Sequence, residues 1–318
     1  MPYTKPYLPV PDQLALMKGR GMGVTDDTLA EAYLTKIGYY RLSGYSYPYR
    51  RSSVVNGHLV ISDSFKSGAS FAEIIELYVF DKKLRMLVLD VIERIEIALR
   101  VKITLVLGTY GADAHRSHKY LHPNFTQRIN HRTGRTHHSE WLRRNDDAFA
   151  NSKEEFAKHF KSRYPGEDPP LWIAAELWDF GMMSFLYGGM RKADQTAVAT
   201  AVAVPTFNIM ESWLRSLNVT RNICAHHSRL WNKPTAVQPK WPSAAQCPLL
   251  AHIANITHPQ TRLYGTLCLC AFLLRSINPT SHWKVRLKAL IATFPQSRII
   301  SLQSAGFPAN WAREPLWT

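Results

Sequence analysis

An all-α fold is what this chain of 318 residues predicts, and three observations predict it. Apolar residues recur at helical spacing through long stretches, most clearly from Phe71 to about Leu107 and from Phe207 to Thr220. The longest stretch opens on Ser70-Phe71-Ala72-Glu73, the pattern of a capping box at a helix N-terminus. Alternating apolar and polar residues, the mark of a half-buried strand, occur only at His58 to Ile61. A composition of 46% hydrophobic and 20% charged residues supplies a large core and excludes a disordered chain.

Residues 11 to 50 read as a short helix, a joint at Gly19, Gly21 and Gly23, and a second helix with Asp26 and Asp27 in its first turn. That helix runs into Ile37 to Arg50, where five tyrosines and two arginines share fourteen residues. Tyr39, Tyr40 and Arg41 are candidates for RNA contact, because aromatics stack bases and arginines hold phosphates. The alternative is that the tyrosines pin a helix end to the core. In the long helix that follows, Asp81 with Arg85, Asp90 with Arg94 and Glu96 with Arg100 are ion pairs at i, i+4 that support it modestly. Gly108 and Gly111 end it. At roughly 37 residues the helix would exceed about 50 Å, so a kink or two consecutive helices are expected.

From Ala114 to Ser139 there is no Asp or Glu, while five Lys/Arg and six of the thirteen histidines fall there. The segment reads as a polar loop or insertion, with Arg128, Arg132 and Arg135 as candidate phosphate contacts and a solvated loop as the alternative. His115, His118 and His122 lack a carboxylate or cysteine to complete a metal set, so no metal is assigned. Helices resume at Trp141 to Phe160, Leu171 to Tyr187 and Thr196 to Ala203. After a link carrying Pro234, Pro239 and Pro242 come apolar helical segments near Cys247 to Ile256, Thr261 to Ile277 and Trp283 to Phe294. The organisation that follows is an N-terminal helical, Tyr-rich segment (1–69), a helical core (70–232) with a basic insertion (114–139), and a C-terminal helical segment (233–318) packed on that core.

A net charge of +15 and a pI near 9.7 call for a polyanionic partner. Nucleic acid fits better than a membrane, since no stretch resembles a transmembrane span or signal peptide, and the expected location is the cytoplasm. Four cysteines are too few for a disulfide scaffold and are expected to be reduced and buried.

Chemistry concentrates in Arg221-Asn222-Ile223-Cys224-Ala225-His226-His227-Ser228, at the end of the Phe207 to Thr220 helix. Metal-free RNA cleavage needs a group of near-neutral pKa to take the 2′-hydroxyl proton and a fixed cation to stabilise the phosphorane, and His226 and Arg221 are residues of those types. Asn222 and His226, four apart, would share a helix face. Arg132 to His137 has the same spacing inside a Gly-containing polar loop, so the spacing alone is not decisive. For Arg221 and His226 the competing reading is a structural arginine and a satisfied core histidine. His227 is a supporting candidate.

Six blocks now read together: Gly38-Tyr39-Tyr40-Arg41-Leu42-Ser43-Gly44-Tyr45; Phe80-Asp81-Lys82-Lys83-Leu84-Arg85; Glu93-Arg94-Ile95-Glu96-Ile97-Ala98-Leu99-Arg100; Trp172 to Tyr187 with Glu176, Trp178, Phe180-Gly181 and Ser184; Arg221 to Asn232; and Gly306-Phe307-Pro308 with Trp311, Pro315, Leu316 and Trp317. In order and spacing they resemble the Abi family of bacterial abortive-infection proteins, of the AbiD and AbiF type, from about residue 12 to the C-terminus. That resemblance implies a HEPN-type helical bundle with added N- and C-terminal helices. It implies a metal-independent RNA endonuclease of phage defence or a toxin-antitoxin system, needing no cofactor and restrained by a noncoding RNA. Arg221, Asn222 and His226 match the family's Arg-x4-6-His motif, and Glu96 and Arg100 fall in its Glu-Arg helix block, where the alternative is a plain ion pair. The motif is usually doubled across a helical interface, so a single copy implies a homodimer. The competing class is a basic RNA-binding module whose motif is vestigial.

Overall fold

The computed structural model describes residue 2 and residues 6–318. Helices α1 (Val10–Gly19), α2 (Asp27–Ile37) and α3 (Tyr39–Ser46) lead into a hairpin of β1 (Arg50–Val55) and β2 (His58–Phe65). The long α4 (Phe71–Gly108) follows. The insertion holds α5 (Pro123–Thr126), β3 (Ile129–Asn130) and β4 (Arg135–Thr136). Next come α6 (His137–Asn151), α7 (Glu155–Arg163), α8 (Leu171–Ala174), α9 (Phe180–Gly189), α10 (Lys192–Ala201) and α11 (Phe207–Ala225). The chain closes with α12 (Thr257–Gln260), α13 (Leu263–Ile277) and α14 (Trp283–Ile291), joined by 3-10 turns. The mostly-α class holds. No helix among the described residues is long and apolar enough to cross a membrane.

Helix α4 is the axis. Leu84, Val88, Val91, Ile92, Ile95, Leu99, Ile103 and Leu107 are fully or almost fully buried at spacings of one to four residues, which puts apolar side chains on its inward face. Around it pack α3, α8, α9, α10, α11, α13 and α14. Each buried aliphatic side chain contributes about 1.5–3 kcal/mol relative to exposure, so the axis is held chiefly by burial. One apolar cluster runs from Leu14 to Trp317 and draws on all three stretches of the sequence. Several buried indoles keep their N–H groups satisfied: Trp213 donates to the Lys240 carbonyl at 2.8 Å, Trp283 to the Leu87 carbonyl at 2.8 Å and Trp141 to the Met182 carbonyl at 3.0 Å.

Several local expectations are revised. α4 is one helix over 38 residues and not two consecutive ones, with neighbours packed on its inward face along its length. Ser70 is its N-cap by backbone conformation but makes no side-chain capping bond, so the capping box is not formed. The strand at His58 to Ile61 extends to Phe65 and gains a partner, Arg50–Val55, which periodicity missed. The missed signal was Asn56-Gly57, both with positive φ (51° and 76°), the pair a two-residue hairpin turn requires. The Trp141 to Phe160 helix is two, α6 and α7. Leu171 to Tyr187 is also divided, at Trp178 and Asp179.

The insertion is folded onto the core. His115 and His138 are fully buried, and His138 donates from Nε2 to the His115 carbonyl at 2.9 Å. The Phe125 ring sits where a side chain on Gly189 would have to go, which explains a glycine at the end of α9. All four cysteines are free and buried, as expected.

Candidate active site

Helix α11 ends inside the motif. Thr206 caps its start by accepting from Ile209 N–H, and Ile209, Met210, Trp213, Leu214, Leu217 and Cys224 are buried. His226 is the C-cap; its N–H donates to the Asn222 carbonyl at 2.9 Å. His227 then adopts a left-handed conformation (φ 56°), donating to the Cys224 carbonyl at 3.1 Å, and Ser228 donates to the Ile223 carbonyl at 2.9 Å. These bonds form a Schellman stop with histidine where glycine is usual. His226 is thus the last residue to keep the i→i−4 bond, to Asn222, with a near-helical φ of -86°, and the chain leaves the helix at His227. His226 and His227 are exposed, and Asn222 is exposed beside half-buried Arg221, whose Nη1 lies 3.4 Å from the Asn222 Oδ1.

The turn after the motif is anchored from far away in sequence. Arg41 on α3 donates to the His227 carbonyl at 2.7 Å, and Arg229 donates to the Gly44 carbonyl. Asp81, fully buried on α4, accepts from Trp231 N–H at 2.7 Å, from Leu230 N–H at 3.2 Å and from the Tyr45 hydroxyl at 2.7 Å. Arg85 pairs with the same carboxylate and donates to the Tyr45 hydroxyl at 3.0 Å. Asp81 and Arg85 are thus a buried clamp on the motif turn rather than a modest helix-supporting pair. Burial forces the Tyr45 hydroxyl up, and the Asp81 carboxylate reinforces this. Cys224 is buried, which pushes its thiol up to about 12, with Asp81 adding to the effect, so it is no thiolate nucleophile.

Glu96 and Arg100 form a pair on α4, against which α11 packs. Arg100 donates to Glu96 at 3.1 Å and to the Trp178 carbonyl at 2.9 Å, and lies 3.7 Å from Glu176. Burial raises the Glu96 carboxyl above its usual range, while the charges of Arg100 and Arg221 pull it back and Asp179 pushes it up. Arg221 and Glu96, 125 positions apart in sequence, therefore belong to one electrostatic cluster. The break between α8 and α9 serves it directly. It frees the Trp178 carbonyl for Arg100 and lets Asp179 cap α9 by accepting from Met182 N–H at 2.7 Å while pairing with Arg144 at 3.1 Å. Asp179 is missed by a reading of the sequence, although an aspartate directly before an apolar helical run signals an N-cap.

The remaining candidates are dispersed. Tyr39 accepts from Arg20 at 3.2 Å, Tyr40 is 91% exposed beside the clamping Arg41, and Tyr45 and Tyr49 are core residues, so part of the Tyr-rich segment pins the chain to the core while Tyr40 stands at the surface. Arg128, Arg132 and Arg135 are exposed around the β3–β4 hairpin, and of these Arg128 alone lines the adjacent groove. No group of three or more His, Cys, Asp or Glu among the described residues could hold a metal ion.

Comparison with known proteins places a family match on this framework. The model of a family described as Abi-like protein matches residues 32–232, a span that includes the α3 clamp, α4, the insertion and the whole motif. No curated protein and no solved structure matches the chain.

Proposed function

The chain belongs to the Abi-like protein family, and from that premise we propose that it is a metal-independent RNA endonuclease of phage defence by abortive infection or of a toxin-antitoxin system. The observation that carries the reading is the packing of α11 on α4, which puts the Arg221 charge within electrostatic reach of Glu96, itself paired with Arg100, while Asn222 and His226 beside it are exposed. His226 takes the proton of the RNA 2′-hydroxyl as that oxygen attacks phosphorus. Arg221 stabilises the charge gathering on the equatorial oxygens, and Asn222 holds the phosphate or the guanidinium. Glu96 and Arg100 are positioning residues: they form the charged wall that orients Arg221. The P–O5′ bond breaks, the 5′-oxygen recovers a proton, and the products are a 2′,3′-cyclic phosphate and a 5′-hydroxyl.

Arg221→Ala and His226→Ala each remove one of these roles. A positioned acid-base group is worth about 10²- to 10⁴-fold and a preorganised charge donor about 3–4 kcal/mol, so each variant loses nearly all cleavage in EDTA and nearly all toxicity on expression. Both residues are exposed or half-buried, so the fold is retained in circular dichroism. Toxicity persisting in both variants would remove the nuclease reading.

Among the described residues the His226 side chain has no hydrogen-bond partner to orient it. Two readings account for that. In the first, a second copy faces the motif across a two-fold axis and completes a composite site, with Glu96 and Arg100 beside the interface; a bound noncoding RNA restrains the enzyme by filling or separating that interface. Light scattering of RNA-free, active protein must then give a dimer. In the second, the motif is vestigial and the protein is a basic RNA-binding module, which retains RNA affinity in EDTA without cleaving.

A further inference from the structure

A groove of about 730 Å³ lies between the insertion, α9 and α11. It reaches Asn218, one turn before Arg221 on α11, and Gly181, two residues after the Asp179 that caps α9. Its size is that of pockets that hold nucleotide-sized molecules. Two cations line it without a carboxylate partner among the described residues: Arg128 from the insertion and Lys192 at the first position of α10. A third, Arg215, is neutralised by Glu211, the one acidic side chain in the lining. The start of α10 adds to the positive field. Its N-cap, Arg191, makes no capping bond, and Lys192 puts a cation where the helix dipole already favours an anion. The first-turn Asp194 is turned inward, accepting from Tyr110 at 2.9 Å.

The groove also carries an aromatic face. Phe185 is 39% exposed, and its ring is held edge-on by Phe125, with centroids 5.4 Å apart, and by His137, at 5.6 Å. A phenyl face fixed by neighbours and flanked by cations is the arrangement that stacks an unpaired base while its phosphates are held. Paired bases could not reach it. Exposed Asn208 and half-buried Asn218 offer amides to a base edge.

We propose that this groove seats single-stranded RNA leading to the motif, with Phe185 stacking one base and Arg128 and Lys192 holding its phosphates. The proposal rests on the nuclease reading for the identity of the polymer, and it is tested on binding alone. The probe is a fluorescein-labelled 12-nucleotide single-stranded RNA, titrated by anisotropy at several salt concentrations into the full chain carrying Arg221→Ala. Phe185→Ala weakens binding roughly 5- to 150-fold, from the stacking of one base. Arg128→Glu with Lys192→Glu weakens it further and makes the slope of log affinity against log salt shallower by at least about 1.4, from two lost phosphate contacts. A duplex of the same sequence is indifferent to Phe185→Ala. Phe185→Leu, which keeps most of the volume without the π face, reproduces the loss and guards against a folding defect. Unchanged single-strand affinity in the Phe185 and the charge-reversed variants would overturn the proposal, as would an acidic peptide binding the groove as tightly as RNA. Cleavage by the unsubstituted protein is scored separately: its absence with groove binding intact removes the nuclease and leaves the groove.

Discussion

Asp81→Asn is the most demanding test of how the motif is held. The carboxylate is fully buried and serves four donors: two backbone N–H groups, the Tyr45 hydroxyl and the Arg85 guanidinium. An amide keeps one accepting oxygen, able to serve about two of them, and turns an N–H₂ toward the rest. Each orphaned buried donor costs about 1–3 kcal/mol, and stranding the buried Arg85 charge costs about 3–5 kcal/mol. These losses overlap in one network and do not sum, so a total of about 4 kcal/mol is expected, a large part of a net stability of about 5–15 kcal/mol. Urea unfolding followed by tryptophan fluorescence measures it, because the fully buried Trp231, whose backbone N–H donates to Asp81, becomes exposed on unfolding. On the proposed nuclease function, cleavage in EDTA falls with it even without urea, where the variant is folded, since the 226–231 turn loses its anchor. As a control, Arg143→Ala removes an exposed i, i+4 pair with Asp147 and shifts stability by less than about 1 kcal/mol. A shift below about 1 kcal/mol for Asp81→Asn would refute the clamp.

Other expectations follow from single positions. Burial, with the Arg116 charge adding to it, pushes the His115 imidazole down from 6.5 to about 4. Between those values the unfolded chain binds a proton that the folded chain refuses, so stability falls by about 3 kcal/mol as pH drops from about 6.5 to 4 and levels off below; His115→Phe flattens that part of a pH series of unfolding midpoints. Gly189→Ala drives a methyl into the Phe125 ring and costs about 1–3 kcal/mol, with residues 114–139 becoming the first site of limited proteolysis; Phe125→Leu in the same chain relieves it. His227→Gly places glycine at a left-handed helix stop and raises stability by about 0.5–1 kcal/mol in thermal unfolding. If the imidazole of His227 supports catalysis, the same variant loses activity as it gains stability.

What the sequence determined by itself is whatever repeats or closes over a few residues. The helical class, the course of α4 and α11, the burial of the cysteines and the Arg221 to His226 cluster were all legible because helical periodicity and motif spacing are local properties. The Asn56-Gly57 hairpin turn is equally local, since it is set by two adjacent residues with positive φ. Tertiary structure alone decided which of these residues meet. Asp81 holds the backbone of Leu230 and Trp231, Arg41 holds His227, and the Arg221 charge acts on Glu96, all across more than 120 residues of chain. It also decided that the helix stops at His226, that α8 and α9 part to offer the Trp178 carbonyl to Arg100, and that the histidine-rich insertion packs as structure instead of trailing as loop. The physical reason is that a charged side chain's role is set by its desolvation and its partners, and those follow from the packing of α4 against α3, α9 and α11, which no local pattern encodes.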